Sequence, residues 1–235
     1  MQFTHSYLQN QLEILLASDY EFITMEQYYT DSKTPPSKKI VTLRIDVDFS
    51  LRKLKPILSM LKNLSIKSTI FVRLHATEYN PFDFEGYRIM RDAIENGHEI
   101  GYHSEIVDQS IIWDESPDTC LARDLCILEK LLDVKIHGIA SHGGKTNLNN
   151  LSFWEHRRPE EFGLKYESYS TTNGKNAFSS GIYVSDSEDI RWKSYKFGKL
   201  MKDNLLPPGY FATEQHPFIN MLIHPDVYYA YHPYE

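Results

Sequence analysis

Two cysteines, no long apolar stretch and no cluster of basic residues narrow the possibilities for this 235-residue chain before any motif is considered. Cys120 and Cys126 stand six positions apart in a segment that reads as helix, a rise of about 9 Å. An unstrained disulfide needs Cα atoms within about 7 Å, so both are expected to be free thiols. Nowhere do the apolar residues run to the roughly 20 of a membrane-spanning helix. The amino terminus sets His5, Glu13 and Asp19 among its apolar residues and has no basic start before an apolar core, unlike a signal peptide. A cytoplasmic, reducing location is therefore expected. With 25 basic against 32 acidic residues, the net charge of −7 and the missing Lys/Arg stripe leave nucleic acid without a phosphate-neutralising surface.

What is present is an alternation of strands and helices. Tyr7 to Ala17 carries Leu8, Leu12, Leu15 and Leu16 at helical spacing, and Tyr20–Thr24 reads as extended. A Pro- and Lys-containing loop over Asp31–Lys38 closes an amino-terminal element, residues 1–38, expected to pack on the rest. Ile40–Ile45 is a β-branched, apolar run of the kind covered on both faces. Ser50 is placed to cap a helix with the stripe Leu54, Ile57, Leu58, Leu61 and Leu64, and Ser68–Leu74 follows as a parallel strand. Further helices are expected over Tyr87–Glu95, ended by Gly97, and from Ser116-Pro117 to about Leu132. Later strands are His98–Tyr102, Ile136–Ala140, Gly181–Ser185 and Phe218–Ile223, with Leu164–Tyr169 extended, Phe197–Asn204 helical and a turn at Pro207–Gly209. The pattern predicts one α/β domain over residues 1–235, a (β/α) barrel or doubly wound sheet without internal repeat.

Four apolar runs end on residues able to bind a metal or move a proton. Ile40–Ile45 leads to Asp46 and Asp48, His98–Tyr102 to His103, Ile136–Ala140 to Ser141 and His142, and Phe218–Ile223 to His224. Parallel α/β folds assemble active sites at the carboxyl ends of their strands, so these groups are expected to converge. Asp46 and Asp48, two apart, point to one face, and their repulsion is relieved if one holds an ion and the other acts as base. His103 follows Gly101 closely; Glu105 next to it serves either as support to a ligated imidazole or as a substrate contact. His224, between three apolar residues and Pro225, suits proton donation. His75 follows a strand and is read as a substrate contact, whereas His5, His98, His137, His156 and His232 lack this setting.

Leu43-Arg-Ile-Asp-Val-Asp48, Ser65–Val72, Asn96-Gly-His-Glu-Ile-Gly-Tyr-His103 and Leu222-Ile-His-Pro225 together resemble the polysaccharide deacetylase superfamily, the NodB-homology domain, in order and over most of the chain. The resemblance implies a distorted (β/α) barrel, a divalent metal, zinc, and hydrolysis of an N-acetyl or related amide on a sugar. It casts Asp46 as base, Asp48 and His103 as metal ligands and His224 as acid. Two departures stand out: Val107 occupies the place of the second motif's other His, and Ser141-His142-Gly143 replaces the third motif's Arg near a Pro. His142 is therefore expected to supply the third ligand. Arg44, His75, Glu105, Asp186 and Trp192 are expected to contact substrate, the Asp186 and Trp192 region resembling the part of the family that orients the base or lines the site. The substrate is an acetylated sugar or a nucleotide- or lipid-linked sugar precursor. Deformylation, cyclic-amide cleavage and non-catalytic sugar binding on the same fold are the alternatives.

Overall fold

Eight consecutive buried residues, Ile40–Val47, form the strand around which the rest is built. The computed structural model describes residues 3–31, 38–187 and 191–231; residues 32–37 of the expected loop and His232 lie outside them. Before the central strand come α1 (His5–Ala17), β1 (Glu21–Ile23) and α2 (Met25–Thr30). Thr4 accepts from the Tyr7 amide to start α1, which buries Leu8, Leu12 and Leu15. The six-residue α2 has no room for helical periodicity, but Thr24 and Gln27 form a reciprocal capping box that opens it.

From the central strand, β2, the chain continues through α3 (Leu54–Asn63), β3 (Thr69–Val72), α4 (Phe84–Glu95), β4 (Glu99–Ser104), α5 (Ile106–Trp113), α6 (Pro117–Leu132) and β5 (Gly138–Ser141). It ends with β6 (Tyr166–Glu167), β7 (Ile182–Ser185), β8 (Lys193–Lys196), β9 (Lys199–Leu200), α7 (Pro208–Thr213) and β10 (Phe218–Ile223). No described helix is long and apolar enough to cross a membrane.

The ten strands share one sheet in the order β6-β5-β4-β3-β2-β10-β7-β8-β9, with β1 also paired to β2. Every pairing from β6 to β7 is parallel, so those strands present their carboxyl ends along one edge. The architecture is thus α/β with a parallel sheet, as the alternation of elements predicts. Among the described residues no backbone pairing joins β6 to β7. Side chains span that gap: the Tyr169 and Tyr183 hydroxyls lie 3.4 Å apart, and the Phe178 ring packs against both rings. The barrel is distorted because it is closed there by rings instead of a ladder.

Three local expectations fail for identifiable reasons. Ser50 makes no capping hydrogen bond, and a short 3-10 turn at Leu51–Lys53 precedes α3 instead. The helix expected over Phe197–Asn204 is a hairpin between β8 and β9, turned by Phe197 at φ 50° and Gly198 at φ 73°. Two left-handed residues make the two-residue turn that matches strand twist, and Phe is a rare occupant of such a position. The Pro207–Gly209 turn is the start of α7, with Pro208 at a helical position where its missing amide proton is not needed.

Gly101, two residues before His103, lies where β4 crosses the Phe71 ring. A Cβ there would sit 2.4 Å from Phe71 and 3.0 Å from the Gly138 carbonyl oxygen. Gly101→Ala is expected to cost about 1–3 kcal/mol in denaturant unfolding, as overpacked cores do. Gly143→Ala, with nothing within 4 Å, should stay within about 0.5 kcal/mol. Equal effects of the two would contradict the crowding described.

Candidate metal centre

The residues of the site stand at or just beyond the carboxyl ends of six parallel strands. β2 contributes Arg44, Asp46 and Asp48, β3 Arg73, β4 His103 and Glu105, β5 His142, β7 Asp186 and β10 His224. Alternation along β2 sends Arg44 and Asp46 to the face opposite Leu43, Ile45 and Val47, and Asp48 continues that phase.

Asp48, His103 and His142 each offer a ligand atom, and these atoms lie within 4.8 Å of one another. His103 Nε2 and His142 Nε2 are 3.3 and 3.8 Å from Asp48 Oδ1. A tetrahedral ion with bonds of about 2.0–2.2 Å sets its ligand atoms about 3.3–3.6 Å apart, close to the spacing present. His103 Nδ1 donates to the Ala140 carbonyl at 2.8 Å, which fixes the tautomer and leaves the Nε2 lone pair facing the cluster. Asp48 Oδ1 is buried without a hydrogen-bond partner. A buried acceptor facing two imidazoles fits a divalent cation. Burial raises the Asp48 pKa, but the contact with His103 and the charges of His103, His224 and His142 outweigh it and hold the carboxyl well below its usual range.

Asp46 lies beside this set, with Oδ2 3.3 Å from His103 Nε2. Arg44 holds it with two hydrogen bonds, Nε to Oδ1 at 2.8 Å and Nη2 to Oδ2 at 2.6 Å. The guanidinium carbon is 5.2 Å from the Phe71 ring centre and 4.8 Å from that of Tyr169. Burial pushes the Asp46 pKa up, yet Arg44 and then His103 bring it below the ordinary value, so it is ionised at neutral pH.

On the other side, His224 Nε2 lies 3.8 Å from Asp48 Oδ2. Asp186 grips His224 twice, accepting from Nδ1 at 2.6 Å and from the backbone amide at 2.9 Å. Burial lowers the imidazole pKa, but the charge and hydrogen bond of Asp186, with Asp46 and Asp48 behind them, raise it to about 9.

The five residues expected to contact substrate all have partners within the protein. Arg44 is 1% exposed and committed to Asp46. Asp186 is fully buried beneath His224. Glu105, also buried, faces His142 Nδ1 at 3.3 Å and Arg73 at 2.8 Å. His75 binds Asp124 at 3.0 Å and contacts Gln109, in a network with Tyr102, which as the neighbour of His103 points to the opposite face of β4. Trp192 is a core residue whose indole N–H donates to the Tyr7 hydroxyl and whose ring packs on Phe3. Proximity to a strand end does not give side-chain direction, and Glu105 stands where it supports a candidate ligand imidazole, one of its two expected roles. A cavity of about 250 Å³ opens over Asp48, Phe49, Asp186, Ser187, His224, Asp226 and Val227, so Asp186 is the one of the five that lines it. Sequence reasoning misses Phe49, Asp226, Val227 and Arg73: Arg73 directly follows β3 and Phe49 follows Asp48, while Asp226 and Val227 lie in a 3-10 turn just past His224.

Replacing Asp186 with Asn removes the charge that keeps His224 protonated. In metal-free protein, NMR titration should give a His224 midpoint near 9, falling in D186N toward the ordinary value of about 6.5. Because the folded value is the higher one, the pair's contribution to stability is complete below about pH 6.5 and is lost as pH rises through about 9. Wild-type stability should therefore fall over that window more steeply than that of D186N; parallel curves would contradict the pairing.

No family model matches the chain, and no curated protein matches it. Solved structures similar to it include a mutant of the Bacillus anthracis protein BA3943, a CE4 family pseudoenzyme with restored enzymatic activity. It is 17% identical, with 81% of this chain and 58% of that chain covered and a TM-score of 0.47. Streptococcus pyogenes deacetylase PplD in complex with acetate is 20% identical, with 67% and 68% covered and a TM-score of 0.48. The catalytic domain of the peptidoglycan N-acetylglucosamine deacetylase from Eubacterium rectale is 16% identical, with 83% and 80% covered and a TM-score of 0.48. The chain thus spans under two thirds of the length of the BA3943 mutant. With TM-scores below 0.5, none of these likenesses assigns a role to a residue of this chain.

Proposed function

We propose that this protein is a metal-dependent hydrolase that removes an N-acetyl group from a sugar or sugar-containing precursor, as a divergent member of the polysaccharide deacetylase superfamily. One observation carries the reading: Asp48, His103 and His142 form a compact ligand set with an ionised carboxylate, Asp46, on one side and a protonated imidazole, His224, on the other. Base, ligand set and acid in that arrangement suit hydrolysis of an amide. Zinc is the metal proposed, because two imidazoles and one carboxylate with room for water are a common catalytic zinc set. Cys120 and Cys126, both free, support a reducing cytoplasmic location.

Asp46 takes a proton from the water whose oxygen adds to the acyl carbon. Asp48, His103 and His142 would hold the divalent ion, which would supply acidification of the water and polarisation of the acyl oxygen. Arg44 lowers the basicity of Asp46 while holding it ionised. His224 gives its Nε2 proton to the amide nitrogen as the C–N bond breaks, releasing acetate and the sugar amine. Asp186 keeps that proton available by accepting from Nδ1 and opposing its loss. Arg44 keeps the base ionised and stops its rotation.

Metal analysis and product assay test the proposal together. Protein purified without chelator should carry close to one divalent ion, and His103→Ala and His142→Ala should each bind it much more weakly, copurify with well under one equivalent and lose acetate release. Asp46→Asn should keep the ion and lose about 10²–10⁴-fold in kcat. Absence of a divalent ion, or its retention in both histidine variants, sinks the site; formate or ammonia in place of acetate corrects the reaction.

A further inference from the structure

We infer that Arg73 and Glu105 form a positioning relay that orients His142 and the Asp48 backbone for metal binding; this rests on the metal reading above. The two imidazoles of the ligand set are held differently. His103 is oriented by a carbonyl, through Nδ1 and Ala140. His142 stands beyond the end of β5 and has its backbone anchored at both sides, its amide donating to the Ser104 carbonyl at 2.9 Å and its carbonyl accepting from Asn150 at 3.1 Å. These bonds place the Cα and leave the ring free to turn.

Glu105 is the group that faces the ring. His142 Nδ1 is buried, makes no hydrogen bond as it stands and lies 3.3 Å from Glu105 Oε1, near enough for a small turn of the ring to make one. With Nδ1 turned toward a carboxylate, Nε2 is the atom left for Asp48. A carboxylate behind a ligating imidazole fixes its tautomer and raises its basicity. Glu105 is itself fixed by Arg73, which donates from Nη2 to Oε1 at 2.8 Å and from Nε to Oε2 at 3.3 Å. The third nitrogen of the same guanidinium, Nη1, donates to the Asp48 carbonyl at 2.9 Å. One side chain from β3 therefore supports two of the three ligands, which come from β2 and β5. Its planar fork makes both connections at once, which a lysine cannot do.

A double-mutant cycle on metal affinity tests the relay. Zinc dissociation constants are measured by competition with a chromophoric chelator for wild type, Glu105→Gln, His142→Ala and the double variant. Glu105→Gln is expected to weaken zinc binding about 10–100-fold, and to add less than about twofold once His142 is gone, since residues acting through one another are not additive. Full affinity in Glu105→Gln overturns the relay, and so does an undiminished loss in the His142→Ala background. If removal of the carboxylate leaves Arg73 unpaired and the protein unfolds, Arg73→Gln/Glu105→Gln replaces the ion pair by a neutral pair and enters the same cycle. Wild-type protein that binds no zinc takes the metal reading and the relay down together, whereas wild-type binding with an unaffected Glu105→Gln removes the relay alone.

Discussion

Three carboxylates crowded at one sheet edge set the electrostatic problem that the site has to solve. Asp46 and Glu105 are buried and Asp48 is mostly so, and unpaired buried charges are costly. Two are offset by arginines that are themselves buried, Arg44 for Asp46 and Arg73 for Glu105. Asp48 has no Lys or Arg paired directly with its carboxylate among the described residues; His103, His142 and His224 face it, with the charge of Arg73 behind them. The arginines thus leave one carboxylate for two imidazoles, a distribution that suits a divalent cation at Asp48 and keeps the neighbouring carboxylates from competing as ligands.

The sheet order makes that distribution possible. β2 lies between β3 and β10, so Asp48 has Arg73 on one flank and His224 on the other. β4 lies between β3 and β5, which brings Glu105 within reach of both Arg73 and His142 and sets His103 beside His142. β7 beside β10 puts Asp186 under His224. Acid, base and ligand set therefore belong to neighbouring strands, and the fixed spacing of a parallel ladder holds them. The side-chain seam at Tyr169, Phe178 and Tyr183 closes the sheet near Arg44, where the Tyr169 ring also covers the guanidinium.

Much of this was readable in the chain because burial leaves a local trace. β2, β3, β4 and β10 appear as apolar runs since both their faces are covered, and each run stops where the backbone meets the site. The spacing of Asp46 and Asp48 shows that they share a face, since strand alternation is a property of the backbone alone. Short elements left less trace. The capping box of Thr24 and Gln27 opens a helix too brief for periodicity, and the Phe197-Gly198 turn depends on a left-handed Phe that propensity disfavours.

The sequence by itself determined which polar groups stand at strand ends, because apolar runs and their two-residue alternation are local. Only the tertiary structure decided what those groups do to each other. Arg44 looks from the chain like a residue facing a substrate, and Glu105 and Asp186 could equally face one or support a neighbour; in the fold they are buried partners of Asp46, His142 and His224. Trp192 and His75 belong to packing and to a separate hydrogen-bond network. The difference is physical: a strand end specifies where a side chain leaves the backbone, whereas its partner is set by which strand lies beside it, and that order is fixed by long-range packing.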